Sequence, residues 1–496
     1  MKLGLIAFSV SAALFAQMGY AAEAAQQRDE FFWLGEINKA SLVINAEQGL
    51  LPKDVSRKIA GGLERVLDNG NKKGGPRPNR VIKFEPYLIK EAGMDATMLH
   101  VGRSSQDMHA TYYSAIMRDN VLRLSGKLAD TMAVINELAK SNVGTIVPNY
   151  TNGVAAQPNS YAHYLQGFQS GFARDAERLR QFYARLNLCP MGTTVLNGTG
   201  WPLNRERMSN YLGFSAPVPN AYDAAQIKPV ELGSILVSIA LHVGSFIQDV
   251  SVQYAQPRPW ILLQEGGDNT YVSSAMPQKR NPGLMINVRE SASNVISEGL
   301  SPVILAHNIV PGMIDPKRVA PNSRMVNDTI KMLDQYMRVL KALRIDPQRS
   351  LEELNSDWTA SQEIADELMR NYKLPFRVGH HVASKMVSYA KAHNIKPTEF
   401  PYARMQQIYA EVIDKEYPAA SRECPMSEAD LRKALDPAAI IANRKTAGGP
   451  QKAELQKALA RTDGVIEQNR KWTKSETAKI NESLARLDKD FKAYLD

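Results

Sequence analysis

One short run of this chain, SSAMPQKRNPG at 273–283, collects two serines, a lysine and an asparagine. Serine hydroxyls and a lysine ammonium in one loop can hold a carboxylate. Pro282 falls where a helix would begin, a position that tolerates proline, and a helix N-terminus favours anions. From spacing alone, a serine-rich turn with a capping role explains the run equally well. No Cys/His spacing resembles a metal site, and no dinucleotide fingerprint or P-loop occurs, so no metal or organic cofactor is expected.

Positioning such runs needs rigid elements, and the apolar periodicity supplies helices. Residues 54–68 and 113–138 repeat apolar side chains at helical spacing, and a further helix is expected over 160–186. Residues 229–254 give the clearest pattern: Leu232, Ile235, Leu236, Ile239, Val243, Phe246, Ile247 and Val250 form one stripe, with Leu241 and Val252 beside it. A stripe this wide predicts a helix surrounded by others. Residues 287–298 and 325–343 read as further long helices, and strand-like alternation is scarce. The fold expected is all-α, an elongated bundle with smaller helical ends. The charged stretch 451–496 reads as a packed surface helix pair.

The 496 residues suffice for two or three domains, and 44% hydrophobic content excludes global disorder. The net charge of +9 suits an anionic substrate. The basic residues are dispersed, so nucleic acid is not expected as a partner. Lys2, the short apolar run 3–15 and the small residues at 19–24 read as a signal peptide cleaved between Ala21 and Ala25. An uncleaved anchor or a buried first helix is the other reading. No later stretch is expected to span a bilayer, which places the mature protein in a periplasm-like compartment. Cys189 and Cys424 are available for a disulfide in that setting, but the sequence carries no geometry for one.

The run SSxMPQKxNP resembles the signature loop of the fumarase/aspartase superfamily, with MPQK closest to the argininosuccinate lyase branch. Four other segments agree in order. VGRSSQDMHAT at 101–111, the first polar run, resembles GRSRNDQVAT, and YTNGVAAQPNSYAH at 150–163, the second, resembles YTHLQxAQP followed by His. NGTGWPLNRERMSNYLGF resembles GTGFPIDRERTAELLGF, and LPFRVGHHV resembles LPFREAHEIV. The likeness covers about Glu85 to Val382. It implies a three-domain fold with a long central helical bundle, assembled as a homotetramer whose active sites each draw on three subunits. The corresponding division here is a signal peptide at 1–25, an N-terminal domain at 26–112, a central domain at 113–360 and a C-terminal domain with its tail at 361–496.

The resemblance also implies roles. Ser273 is the general base, with Ser274 as its neighbour and alternative. Lys279 and Asn281 stabilise the doubly charged aci-carboxylate formed after proton removal. Thr151, Asn152, Gln157, Ser104, Ser105, Gln106, Ser274 and Met276 contact a small dicarboxylate substrate. Three positions depart from the pattern. Asn152 replaces the His that protonates the leaving group, and Ile286 replaces the Glu that pairs with that His. HNIVPGMIDPKR at 307–318 does not match the Tyr-Asn-(Lys/Arg)-Asp-Leu-Gln-Glu-Asp-Lys stretch that holds arginine. Ser105 and Gln106 look instead like the fumarase, aspartase and carboxymuconate-cycloisomerase branches. Each of His163, His100 and His109 is either a replacement acid or a structural histidine. The expected activity is β-elimination from a succinyl-type substrate, cleaving carbon–nitrogen in an N-substituted aspartate to give fumarate. The alternatives are a carbon–oxygen lyase or cycloisomerase, and a non-catalytic dicarboxylate-binding protein.

Overall fold

The computed structural model describes residues 28–495, so the signal segment expected at 1–25 lies outside the described residues. The N-terminal helices are α1 (Glu30–Glu47), α2 (Lys53–Asn71) and α3 (Val81–Ala92). The long α4 (Ser105–Lys140) follows. A hairpin of β1 (Ile146–Thr151) and β2 (Val154–Ser160) leads into α5 (Tyr161–Leu186). The two-residue strands β3 (Leu188–Cys189) and β4 (Ala216–Pro217) pair on either side of the short α6 (Arg205–Tyr211). Next comes α7 (Pro229–Gln253). The segment after it contains β5 (Ile261–Leu263) and the paired β6 (Tyr271–Val272) and β7 (Arg280–Asn281). Then come α8 (Gly283–Ala306), α9 (Val319–Ala342) and β8 (Leu343–Ile345), which pairs with β5.

Helices α4, α5, α7, α8 and α9 form the central bundle. All eight stripe residues read from 229–254 are buried, as are Ile116, Val121, Leu124, Leu128, Met132 and Ile135 on α4. Leu241 and Val252 remain 53% and 37% exposed, so part of the wide face of α7 has no cover within the chain. Length and hydropathy alone would let α7 cross a membrane, contrary to the expectation that no later stretch could. Its packing explains the composition: the apolar stripe is spent against neighbouring helices. Helices α7 and α8 touch backbone to backbone at Gly233 and Gly299. A Cβ on Gly233 would stand 2.2 Å from the Gly299 carbonyl oxygen, so only glycine permits the crossing.

The remaining helices are α10 (Pro347–Ser356), α11 (Ser361–Tyr372), α12 (Phe376–His393), α13 (Tyr402–Glu416), α14 (Glu428–Ala434) and α15 (Pro437–Ala442). From Trp358 to Ile440 they enclose a second core, separate from the first. The chain then turns back as α16 (Lys452–Lys492), one continuous helix where a pair was expected. Its Leu455, Leu459, Ile480, Leu487 and Phe491 are buried in the main core rather than the C-terminal one. Cys189 and Cys424 are buried and unpaired, one in each core.

Candidate active site

The serine-bearing loop is a small β-ladder. Tyr271 pairs with Asn281 and Val272 with Arg280, and the Ser273 N–H donates to the Lys279 carbonyl at 3.2 Å. Inside this turn the Ser273 Oγ accepts from the backbone N–H groups of Ala275 and Met276, both at 3.3 Å. Two amides aimed at one hydroxyl oxygen favour its deprotonated form. Ser274, Met276 and Lys279 are exposed, and Asn281 is half-buried with its amide 3.5 Å from the Tyr271 carbonyl. Arg280 is drawn aside to Glu265 at 3.1 Å, leaving Lys279 as the ammonium at the loop surface. Leu284, at the start of α8, donates its N–H to the Asn269 carbonyl and seats the loop on the bundle.

The second polar run is the tip of the β1–β2 hairpin. Asn152 (φ 54°) and Gly153 (φ 78°) are its two turn residues, between paired Thr151 and Val154. Left-handed conformation at both positions defines the tight hairpin turn that favours Asn-Gly. Asn152 therefore answers a backbone demand, whatever it does to the chemistry. Behind the tip, the half-buried Tyr150 donates its hydroxyl to Glu353 and accepts from Gln253 (3.1 Å) and Trp260 (3.0 Å). Gln157 is tied to the C-terminal region: its amide donates to Gln362 at 2.6 Å and its oxygen accepts from Arg444 at 3.4 Å.

The first polar run caps α4. Ser105 is exposed at the helix start and Gln106 is half-buried. Ser104 has its hydroxyl engaged, donating to the Thr194 carbonyl (2.9 Å) and accepting from the Gln106 N–H (3.1 Å). It holds protein backbone rather than offering a free donor to a substrate. Asp107 is fully buried, and burial pushes its carboxyl up to about 6 against the pull of three backbone N–H groups and Arg103. Gln106 lies near the 307–318 loop: a Cβ on Gly312 would be 3.8 Å from its amide nitrogen.

Sequence reasoning passed over two lysines below this region. Lys228 donates to Ser114 on α4 at 3.0 Å, and Lys317 donates to the Ala225 carbonyl. Neither has a carboxylate partner among the described residues. Burial pushes Lys228 down to about 8, with Lys317 adding to the effect and Asp223 opposing it. Burial also lowers Lys317. No local signal marks either lysine, because both are defined by tertiary contacts.

The histidines are engaged elsewhere. The ring of His163 bridges Asn159 Oδ1 and the Gly448 carbonyl, both at 2.9 Å. His100 pairs with Glu85. His109 accepts from the Val81 N–H at 3.4 Å, and burial beside Arg80 lowers its affinity for a proton. Ile286 is 39% exposed on the first turn of α8. Among the described residues, no hydrogen bond joins the 273–283 loop to the first or second run, and no cluster of His, Cys, Asp and Glu could hold a metal ion.

The lyase family profile matches residues 39–297, over half of the chain, and the argininosuccinate lyase C-terminal profile matches 358–442. The chain is an argininosuccinate lyase-like member of the fumarase/aspartase superfamily. The match extends beyond the limits read from motifs alone, about Glu85 to Val382. The lyase is 26% identical to the argininosuccinate lyase of Methanothermobacter thermautotrophicus over 444 residues, covering 88% of this chain and 93% of the relative. Among solved structures it resembles an EDDS lyase in complex with formate, with TM-score 0.85, 23% identity and coverage of 94% and 92% of the two chains. It also resembles 3-carboxy-cis,cis-muconate lactonizing enzyme from Pseudomonas putida, with TM-score 0.61, 17% identity and coverage of 91% and 97%. At these identities the structural likenesses establish the fold, the all-α fold of this superfamily.

Proposed function

We propose that this lyase catalyses β-elimination from a succinyl-type substrate, cleaving the carbon–nitrogen bond of an N-substituted aspartate and releasing fumarate. The observation that carries this reading is the Ser273 hydroxyl held by two backbone amides in a loop that also presents Lys279. Ser273 removes a proton from the carbon next to a carboxylate. The electrons move onto that carboxylate, and the resulting dianion is paired with the ammonium of Lys279 and the amide of Asn281. Collapse of the dianion restores the carboxylate, forms the carbon–carbon double bond and expels the nitrogen, already protonated as the substrate's ammonium, with the bonding pair as a neutral amine. Thr151, Ser105 and Gln106 orient the carboxylates, and the unpaired ammoniums of Lys228 and Lys317 make the surroundings of the first run favourable to anions.

The three runs come from different subunits in this reading. The exposed apolar residues on α7 and α8, including Leu241, Leu300, Val303 and Ile304 at 47–72% exposure, support a homotetramer built through the bundle. The N-terminal segment supports export to the periplasm. Cell fractionation and native mass measurement test these two points.

Asn152 and Ile286 leave the leaving group without the superfamily's usual acid. That favours substrates whose nitrogen departs readily. The Ser105-Gln106-Asp107 sequence gives a second reading, a carbon–oxygen lyase or cycloisomerase, and the same loss of acid gives a third, a dicarboxylate-binding protein without turnover. Incubating the full chain with a panel of N-substituted aspartates and following fumarate absorbance separates them. Fumarate release that vanishes in Ser273→Ala is expected. Traces equally flat for both proteins would overturn the elimination reading, and a rise in Tm with fumarate but no turnover would favour the third.

A further inference from the structure

A side chain outside the assigned contacts joins two segments at the first run. Asp107 sits on the first turn of α4 with no solvent exposure. One carboxylate oxygen accepts from the Ser104 N–H at 2.9 Å, closing the helix cap. The other accepts from the N–H groups of Gly192 and Thr194, at 2.9 and 3.0 Å, across the chain in the 190–203 loop. Ser104 repeats the link with its hydroxyl on the Thr194 carbonyl. The loop also closes on Gly102, where a Cβ would stand 2.7 Å from Leu203.

That loop is costly to hold. Thr194 (φ 54°) and Leu196 (φ 69°) are left-handed without being glycine, and threonine is branched at Cβ. Such conformations persist only where surrounding contacts over-determine them. For Thr194 they are its amide on Asp107 and its carbonyl on the Ser104 hydroxyl. An ordinary helix cap needs only the Ser104 bond, so the second oxygen does something more than cap.

We infer that Asp107 is a positioning residue: its carboxylate clasps the 190–203 loop to the start of α4 and so fixes the angle at which Ser105 and Gln106 meet a substrate carboxylate. The inference rests on the lyase reading above. Asp107 itself touches no substrate. Its loss should weaken ground-state binding while leaving the chemistry of the Ser273 loop largely intact.

The test compares Asp107→Asn and Ser104→Ala with the wild type in the full chain. Fumarate affinity is measured by calorimetry, amide exchange is followed at Gly192 and Thr194, and kcat and KM are taken on whichever N-substituted aspartate turns over. Asp107→Asn should raise the fumarate Kd and the KM by about tenfold, with kcat within about threefold of wild type, and both amides should exchange faster. Ser104→Ala should move the same quantities in the same direction by about threefold, and it decides the matter if Asp107→Asn does not fold. Faster amide exchange with unchanged Kd and KM would make the clasp merely structural and overturn the inference alone. A wild type that neither binds fumarate nor releases it from the panel would overturn the lyase reading, and this inference with it.

Discussion

The hairpin that carries Thr151 and the loop that carries Ser273 are both short antiparallel ladders, yet they are held in opposite ways. The hairpin is fastened by side chains: Tyr150 reaches Glu353, Gln253 and Trp260, and Gln157 reaches Gln362 and Arg444. The serine loop is fastened mainly by its own backbone, with Ser273, Lys279 and Met276 bonded to one another through N–H and carbonyl groups. A binding element anchored in packed structure keeps its geometry without the substrate. A loop held by itself can move as a unit over a dianion and still keep the amides on the serine. Under the proposed function, the hairpin would be the element fixed for recognition and the serine loop the one free to close.

The largest effect that would sharpen this contrast is in the loop. Ser273→Ala should lower kcat by about a thousandfold, within the range for losing a general base. Tm should stay within about 0.5 kcal/mol equivalent of wild type, because an exposed turn stores little stability. A large loss of Tm on this change would break the comparison. Removing the matching hydroxyl from the hairpin should do the reverse. Tyr150→Phe leaves Gln253 and Trp260 without their acceptor, which costs about 1–3 kcal/mol of stability in denaturant unfolding. Its effect on kcat should be about tenfold or less, two orders of magnitude below that of Ser273→Ala.

The hairpin tip gives a third and smaller test. Gly153→Ala puts a side chain at φ 78° and should cost about 1 kcal/mol by chemical unfolding. Asn152→His should cost less, because histidine tolerates the left-handed region better than most residues. Paired with Ile286→Glu, it should raise fumarate release from substrates with poor leaving groups and leave good ones unchanged. Equal rates across both classes would mean that the tip does not face the leaving group.

A last test leaves both ladders and concerns the buried Lys228 beside α4. In the unfolded chain Lys228 keeps its proton up to about 10.4, the ordinary lysine value. In the folded chain it releases the proton near about 8. Between those values the unfolded state binds more protons, so stability rises with pH. Comparing wild type with Lys228→Met over that interval, the Tm difference should shrink as pH rises, with Lys228→Met the more stable at pH 7. A difference independent of pH would place the ammonium in contact with solvent.

The helical architecture was legible because long helices need wide apolar stripes, and each stripe read over 113–138 and 229–254 is buried. At 273–283 the residue types were legible, and the paired amides on Ser273 were not, since backbone geometry leaves no mark on side-chain spacing. Two local signals of backbone structure were present and went unread. Asn152-Gly153 announces a tight hairpin, but the missing histidine drew attention first. Ser104-x-x-Asp107 announces a helix cap, but both residues lay inside a stretch read for substrate contacts. The return of α16 to the main core had no local signature, because charged helices of that kind also lie alone on surfaces.

That return has a consequence for how the polypeptide matures. Helix α16 lies along α4, α5 and α1, and Lys39 near the beginning meets Asp488 near the end at 3.1 Å. The groove it fills stays open until Phe491 has been synthesised, so folding to completion is a late event. A chain that cannot seal itself early keeps that apolar groove uncovered for most of its synthesis.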